Sequence, residues 1–455
     1  KTLESHHGAF AILRLSKKDH KKIFFAKSGS PLIFGKNSTE LFFASSDAPL
    51  IGHASDVMYL NDGEYGYTVE NNIKLFNNKK EIEKIYKKLS SDKLYAQKEG
   101  YRYFMEKEIY EQHAVILDTM MGRASRGKIE FEELDETFFE NILQIRICAC
   151  GTSYHTALAA TYLFERIAKI HARCEIASEF RYKEPILDKR ELFVVISQSG
   201  ETADTLEALK MAKKMGLKTL AICNVDNSSI VREADVSILT RAGIEKGVAS
   251  TKAFATQMMV LWMLSLFVAK SKKIVDDKFV LNEIEAMIEA SKVTEVDDIL
   301  HEKLKKLSKR YLHGHGFFFI GRDIFYPLAL EGALKLKEIS YLHAEGYPAG
   351  EMKHGPIALA DSELFTLALL PKNLLFDKVK SNVEEISARD ATILAISPEV
   401  IDVADDQIFT KKSDHYMVEF FEMMVILQMF ALEVSIRLGN DVDMPRNLAK
   451  SVTVE

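Results

Sequence analysis

The chain has 455 residues, 47% of them hydrophobic and 28% charged, and a formal net charge of −6. That length holds more than one domain of about 100–200 residues, and the composition is that of a folded globular chain. The acidic balance leaves no basic domain for a nucleic-acid partner, while a local cationic pocket for a small anion remains compatible with it.

The four cysteines, Cys148, Cys150, Cys174 and Cys223, are too few for a disulfide framework. Cys148 and Cys150 lie in the apolar run ILQIRICACG, where strand alternation places both on one face as small hydrophobes. No second ligand pair at zinc spacing accompanies them, so neither a metal nor a cofactor is expected. Free thiols suit a cytoplasmic compartment. The opening KTLESHHGAFAIL has no apolar core of signal-peptide character. The most apolar run, Met258 to Ala269, is short of the roughly 18–20 residues that span a bilayer and reads as a core helix, so no membrane partner is expected.

In chain order, residues 1 to about 76 read as strands: GAFAILRL, KIFFAKSG, PLIFG, ELFFASS, DVMYL, YGYTV and NIKLF, separated by turn residues. The charged stretch NNKKEIEKIYKKLSSDKLYAQKEG reads as a solvated connection with some helix. YRYFMEKEIYEQHAVILDTMMG then takes up helical periodicity. From about residue 143 strands alternate with helices, the pattern of a parallel sheet wrapped on both faces. ILQIRICAC predicts a strand, GTSYHTALAATYLFERIAKI a helix opening at Thr152 or Ser153, ELFVVIS a strand, ETADTLEALKMAKKMG a helix ended by Gly216, and KTLAICNV a strand. The order returns in HGFFFIGRDIFYPLALEGALKLKEISY, LFTLALLP, LLFDKVKSNVEEISARD and ATILAISP, which predicts a duplication. DVDMPRNLAKSVTVE reads as a polar tail.

Ser197-Gln198-Ser199-Gly200-Glu201-Thr202 follows a strand and opens a helix. Unpaired N–H groups and the positive end of the helix dipole suit a phosphate there, and hydroxyls add donors. A plain helix cap by Thr202 or Ser199, aided by Asp204 or Glu201, accounts for the same residues. Gly151-Thr152-Ser153 makes a similar turn and favours the phosphate. Val248-Ala249-Ser250-Thr251-Lys252 is a third, equally open to an ordinary N-cap. Lys335 and Glu338 share a helix face, either as a surface ion pair or as a proton-transfer pair near a sugar carbonyl. His354, in a Lys-His-Gly-Pro turn, is a candidate acid or base. Lys450 is an idle tail lysine unless the tail folds over a pocket, where desolvation favours Schiff-base chemistry.

Taken together, GTSYHTALAATYLFE, SEFRY, SQSGETADT, AICNV, GVASTKAF, ALEGALKLKEISYLHAE, MKHGP and PRNLAKSVTVE resemble, in order and spacing, the isomerase part of the glucosamine-6-phosphate synthase family, from about residue 95 to Glu455. The resemblance implies an α/β fold of two tandem αβα-sandwich sugar isomerase domains, at 91–276 and 277–441, with a tail at 442–455 closing the sugar site. It implies that Thr152, Ser153, Ser197, Gln198, Ser199 and Thr202 hold the phosphate and hydroxyls of fructose 6-phosphate, with Val248, Ser250 and Ala449 touching the sugar. Lys450 would form an imine with the open-chain ketose, Glu338 would move a proton between C1 and C2, and Lys335 would stabilise charge developing on oxygen. His354 would assist ring opening from a neighbouring subunit, implying a homodimer. The product would be glucosamine 6-phosphate, the first step of hexosamine synthesis.

LESHHGAF, KSGSPLIFG, FFASSDAPL and YLNDGEYGYTV resemble only the later strands of the family's N-terminal-nucleophile glutaminase domain. A β-rich remnant of that domain is therefore expected over 1–90, forming an incomplete and poorly ordered layer over residues 1 to about 80. Glutamine hydrolysis is not expected of these residues, while isomerisation and ammonia-dependent synthesis are. A phosphosugar-binding regulatory module, or a deaminating or deglycating relative of the same fold, is the competing reading. The Lys-Glu-Ile-Ser-Tyr and tail segments stand against the first, the amidotransferase-like strands against the second.

Overall fold

The computed structural model describes residues 10–45, 48–50, 52–89, 98–125 and 127–453. The N-terminal unit consists of strands β1 (Phe10–Ser16), β2 (Asp19–Ser28), β3 (Ile33–Lys36), β4 (Leu41–Ala44), β5 (Asp56–Tyr59), β6 (Glu64–Val69), β7 (Asn72–Asn77), β8 (Lys80–Ile82) and β9 (Lys87–Lys88). They form two antiparallel sheets, ordered β1-β2-β6-β7-β8 and β4-β3-β5-β9. The sheets share an apolar cluster in which Phe25 and Leu75 meet Phe34, Met58 and Leu60. Among the described residues, the incomplete layer expected over residues 1 to about 80 is a pair of strand layers with its own core, because alternate residues of both sheets are apolar on the facing sides. The charged connection, expected to carry some helix, supplies β8 and β9 in its described part. Its residues 90–97 lie outside the described residues.

Helices α1 (Phe104–Tyr110) and α2 (Gln112–Met120) follow the expected periodicity, and a short hairpin, β10 (Ala124–Ser125) and β11 (Lys128–Ile129), leads into the first α/β unit. That unit runs β12 (Gln144–Ala149), α3 (Gly151–Arg166), β13 (His171–Ile176), α4 (Ala177–Phe180), β14 (Glu191–Ser197), α5 (Ala203–Lys214), β15 (Lys218–Cys223), α6 (Ser229–Glu233), β16 (Val236–Leu239) and α7 (Lys252–Ser271). After α8 (Asp277–Val293) and α9 (Asp298–Leu307), the second unit runs β17 (Gly316–Gly321), α10 (Phe325–Ser340), β18 (Ala344–Pro348), β19 (Leu364–Leu369), α11 (Phe376–Ser387), β20 (Thr392–Ser397), β21 (Asp406–Phe409) and α12 (Tyr416–Arg437).

The sheets are ordered β13-β12-β14-β15-β16 and β18-β17-β19-β20-β21, both parallel throughout. The predicted duplication is therefore present in topology. Strands buried on both faces read as continuous apolar runs rather than alternating ones. The inner faces of both sheets, with α3, α7, α10 and α12, bury into one continuous core. α5 covers the outer face of the first sheet and α11 that of the second. The apolar helix α7 is long enough to span a bilayer, yet its residues Lys252 to Ala269 are all buried. Cys148 is buried under α4 and α5 and Cys150 packs against the same cluster; all four thiols are free.

Candidate active site

Parallel α/β units collect their ligand-facing loops at the carboxyl ends of the strands. Three such loops of the first unit, one helix of the second, and the tail converge here. At the first loop, Gly151 takes a positive φ of 54° and starts α3 one residue earlier than expected. Ser153 then turns inward, accepting from Gln257 Nε2 at 3.1 Å. Thr152 points to the second unit: its hydroxyl donates to Glu331 Oε1 (3.0 Å) and accepts from Lys335 Nζ (3.1 Å).

The second loop wraps tightly. Ser197 Oγ accepts from Gly200 N at 2.9 Å and lies 3.2 Å from Thr202 Oγ1, and Ser199 Oγ accepts from Glu201 N at 3.2 Å. Gly200 has a φ of 68°, and a Cβ there would lie 2.0 Å from Ser228 Oγ. The capping alternative fails for Thr202, whose side chain makes no cap bond to α5. Asp204 is engaged by Arg181 at 2.8 Å, and Glu201 turns away to accept from Ser229 N at 2.8 Å. The first N–H of α5, that of Ala203, donates to the Val452 carbonyl of the tail at 3.1 Å.

At the third loop the cap of α7 comes from neither Ser250 nor Thr251. Glu245, a buried carboxylate, accepts from Thr251 N (2.9 Å) and Ala253 N (3.1 Å). Val248 N donates to the Asp443 carbonyl at 3.1 Å, which ties this loop to the start of the tail.

On α10, Glu331, Lys335 and Glu338 follow one another at spacings of four and three and share a face. Lys335 is buried and pairs with Glu338 at 2.6 Å and with Glu331 at 3.4 Å. Burial alone would lower its pKa, but the two carboxylates outweigh that and hold it above the usual lysine range. Glu331, also buried, accepts from His155 Nδ1 at 2.7 Å. The surface-pair reading of Lys335 and Glu338 is thus overturned: this is an inter-unit cluster under the core helices.

The tail has no helix or strand among its described residues, but it is fastened at each step. Asn440 Nδ2 donates to the carbonyls of Ile339 and Ser340, ending α10. Asp443 accepts from Phe104 N (2.9 Å) and Met105 N (3.0 Å), capping α1. Arg446 N donates to Tyr341 Oη at 2.8 Å. These ties carry Lys450 to the third loop, where Nζ donates to Glu245 Oε2 (2.5 Å) and the Gly247 carbonyl (2.7 Å) and lies 3.4 Å from Ser250 Oγ. Lys450 is therefore not an idle tail lysine. Ala449 beside it is exposed.

His354 stands apart. It ends a 3-10 turn, Ala349–His354, whose Ala349 and Met352 pack on the outer side of the second sheet with α11, while α10 lies on the inner side. Among the described residues no hydrogen bond or ion pair links exposed His354 to Lys335, Glu338 or Lys450. The sequence reading missed Glu331, His155, Glu245 and Glu108, a buried carboxylate of α1 that accepts from Lys246 N and Gly247 N of the third loop. Glu331 was findable as the residue one helical turn before Lys335. The other three act through backbone groups or another chain segment and leave no local pattern. No group of three or more His, Cys, Asp or Glu residues suited to a metal occurs among the described residues.

Two parallel αβα units joined through one core, with a helix opening of the first bonded through Thr152 to a lysine–carboxylate cluster of the second, define a sugar isomerase (SIS) protein. The SIS domain family matches residues 139–266 and 314–435. The C-terminal domain of glucosamine-fructose-6-phosphate aminotransferase from Francisella tularensis superposes with a TM-score of 0.74 at 39% identity, over 77% of this chain and 99% of that one. Glutamine–fructose-6-phosphate aminotransferase (isomerizing) of Campylobacter jejuni is 61% identical over the whole of this chain and 76% of its own length. The Helicobacter pylori enzyme of the same name is 52% identical over the whole chain and 75% of its own length. The chain belongs to the glutamine–fructose-6-phosphate aminotransferase (isomerizing) family and is an enzyme of that family.

Proposed function

We propose that this chain binds fructose 6-phosphate between its two α/β units and converts it, with an amino group, to glucosamine 6-phosphate. The observation that carries the proposal is Lys335, which reaches from the second unit to Thr152 of the first while paired with Glu338. In this reading the Ser197–Thr202 loop and the opening of α3 hold phosphate and hydroxyls by donor groups at helix N-termini. Lys450, placed by the tail beside Ser250, takes the ketose carbonyl as an imine. Glu338 carries a proton between C1 and C2, and Lys335 supports the negative charge that grows on oxygen. Val248, Gln198 and Ala449 complete the sugar's surroundings. The exposure of His354, on the far side of its sheet from Lys335, supports a homodimer in which this histidine serves the other subunit's sugar. With these 455 residues, ammonium rather than glutamine is the nitrogen source tested.

The test is fructose 6-phosphate with and without ammonium, following glucose 6-phosphate and glucosamine 6-phosphate. Glu338→Gln is expected to lose about 100-fold or more of hexose conversion, the ordinary worth of a general acid–base group, with sugar binding retained. Binding without any turnover in the unaltered chain would favour a phosphosugar-sensing module instead.

A further inference from the structure

A primary amine attacks a carbonyl only when it is neutral, and a proton must leave Nζ for that to happen. Lys450 Nζ meets three acceptors: the Gly247 carbonyl and the Ser250 hydroxyl, which cannot keep a proton near neutral pH, and Glu245 Oε2. Glu245 is built for one position. Its Oε1 is fixed by Thr251 N and Ala253 N, so Oε2 is the oxygen aimed at Lys450. Its loop is gripped from behind by Glu108 of α1, buried and accepting from Lys246 N and, at 3.1 Å, Gly247 N. Glu338, the other carboxylate near the sugar, is already held by Lys335.

Resting on the imine reading of Lys450, we propose that Glu245 is the acid–base partner of that lysine. The Glu245 carboxylate takes one proton from the Lys450 ammonium, and the neutral amine adds to C2 of the open-chain ketose. The second N–H proton passes to the former carbonyl oxygen, giving a carbinolamine. Protonated Glu245 returns its proton to the carbinolamine hydroxyl, the C–O bond breaks, and water leaves. The products are a protonated imine on Lys450, one water and a Glu245 carboxylate again, so protons balance and no further reactant is needed. Glu245 Oε2 then remains paired with the iminium.

Electrostatics supplies a discriminating test. If Glu245 merely parked the ammonium, removing its charge would release the amine and speed adduct formation. The full chain is mixed with fructose 6-phosphate and quenched with borohydride over time, and the reduced adduct on the Lys450 peptide is followed by mass spectrometry. Glu245→Gln keeps an oxygen for Thr251 N and Ala253 N. It is expected to slow trapping about 100-fold or more, with the fructose 6-phosphate dissociation constant changed less than about threefold. Glu245→Asp, tested beside it and deciding alone if the glutamine variant does not fold, is expected to slow trapping at least about tenfold. Trapping as fast as or faster than in the unaltered chain, in either folded variant, overturns the proposal. Absence of any adduct in the unaltered chain removes the imine reading itself, a different failure.

Discussion

Replacing Gly200 by alanine puts the phosphate-loop reading under direct strain. The residue sits at a φ of 68°, where a side chain costs about 1–2 kcal/mol. The new methyl would lie 2.0 Å from Ser228 Oγ, 2.4 Å from Ser228 Cβ and 2.8 Å from Cys223 Sγ. None of these can retreat freely. Ser228 is buried, the next N–H, that of Ser229, is held by Glu201, and Ile230 N donates to the Gly200 carbonyl at 3.0 Å. Overpacking of this kind costs about 1–3 kcal/mol, so the loop is pushed from its present shape by roughly 2–5 kcal/mol. If that shape is the one that receives the phosphate, the fructose 6-phosphate dissociation constant rises by a factor of about 30 at the low end. Titration calorimetry reads it, with a thermal melt to confirm folding. Gly200→Ala combined with Ser228→Gly removes both contacts with Ser228 but leaves the approach to Cys223 Sγ and the backbone cost, and should recover only part of the lost affinity. A dissociation constant within about threefold of the original in folded Gly200→Ala would refute the placement of phosphate on this loop.

Glu331→Ala leaves Thr152, His155 and Lys335 without their shared buried carboxylate. A loss of about 3 kcal/mol is expected, at the low end for a broken buried pair because Glu338 still holds Lys335; unchanged melting would contradict it. Burial pushes the Glu422 carboxyl up to about 7 from 4.5, against the bonds it accepts from Lys411 N. A folded pKa above the unfolded one means the folded chain binds the extra proton, so this group costs stability as pH rises from about 4.5 through 7. The full cost, on the order of 3 kcal/mol, is present above that. Glu422→Gln should therefore flatten the fall in melting temperature between pH 5 and 8, and an unaltered slope would count against it. His354→Ala and Glu338→Gln, each inactive alone, should on co-refolding recover about one quarter of the activity, since half the dimers would carry one complete site. No recovery would exclude a histidine donated across subunits.

Much of this protein was legible in its residues. Strands buried on both faces announce themselves as apolar runs such as LFVVI, and Gly216 and the hydroxyl turns punctuate the helices between them. Those signals are local, so the αβα repeat and the three helix openings followed from sequence alone. β13, with His171, Arg173 and Glu175 along it, escaped because an edge strand keeps polar residues, and β8 and β9 escaped because their lysines and glutamates read as a solvated connection. The resemblance of the ordered motifs carried the family and gave Lys335, Glu338, His354 and Lys450, already candidates by residue type, their expected roles.

Which of those side chains meet was decided by tertiary structure. Lys335 touches Thr152 across 183 residues and Lys450 touches Glu245 across 205; such pairings depend on two sheets sharing one core and on a tail tied down by Asp443 and Arg446. A lysine's surroundings set whether it is an idle surface cation or a buried, paired one, and those surroundings come from distant segments. Composition and periodicity determine which elements form, because each depends on neighbours a few residues away. The site is made by contacts that close only when the elements pack.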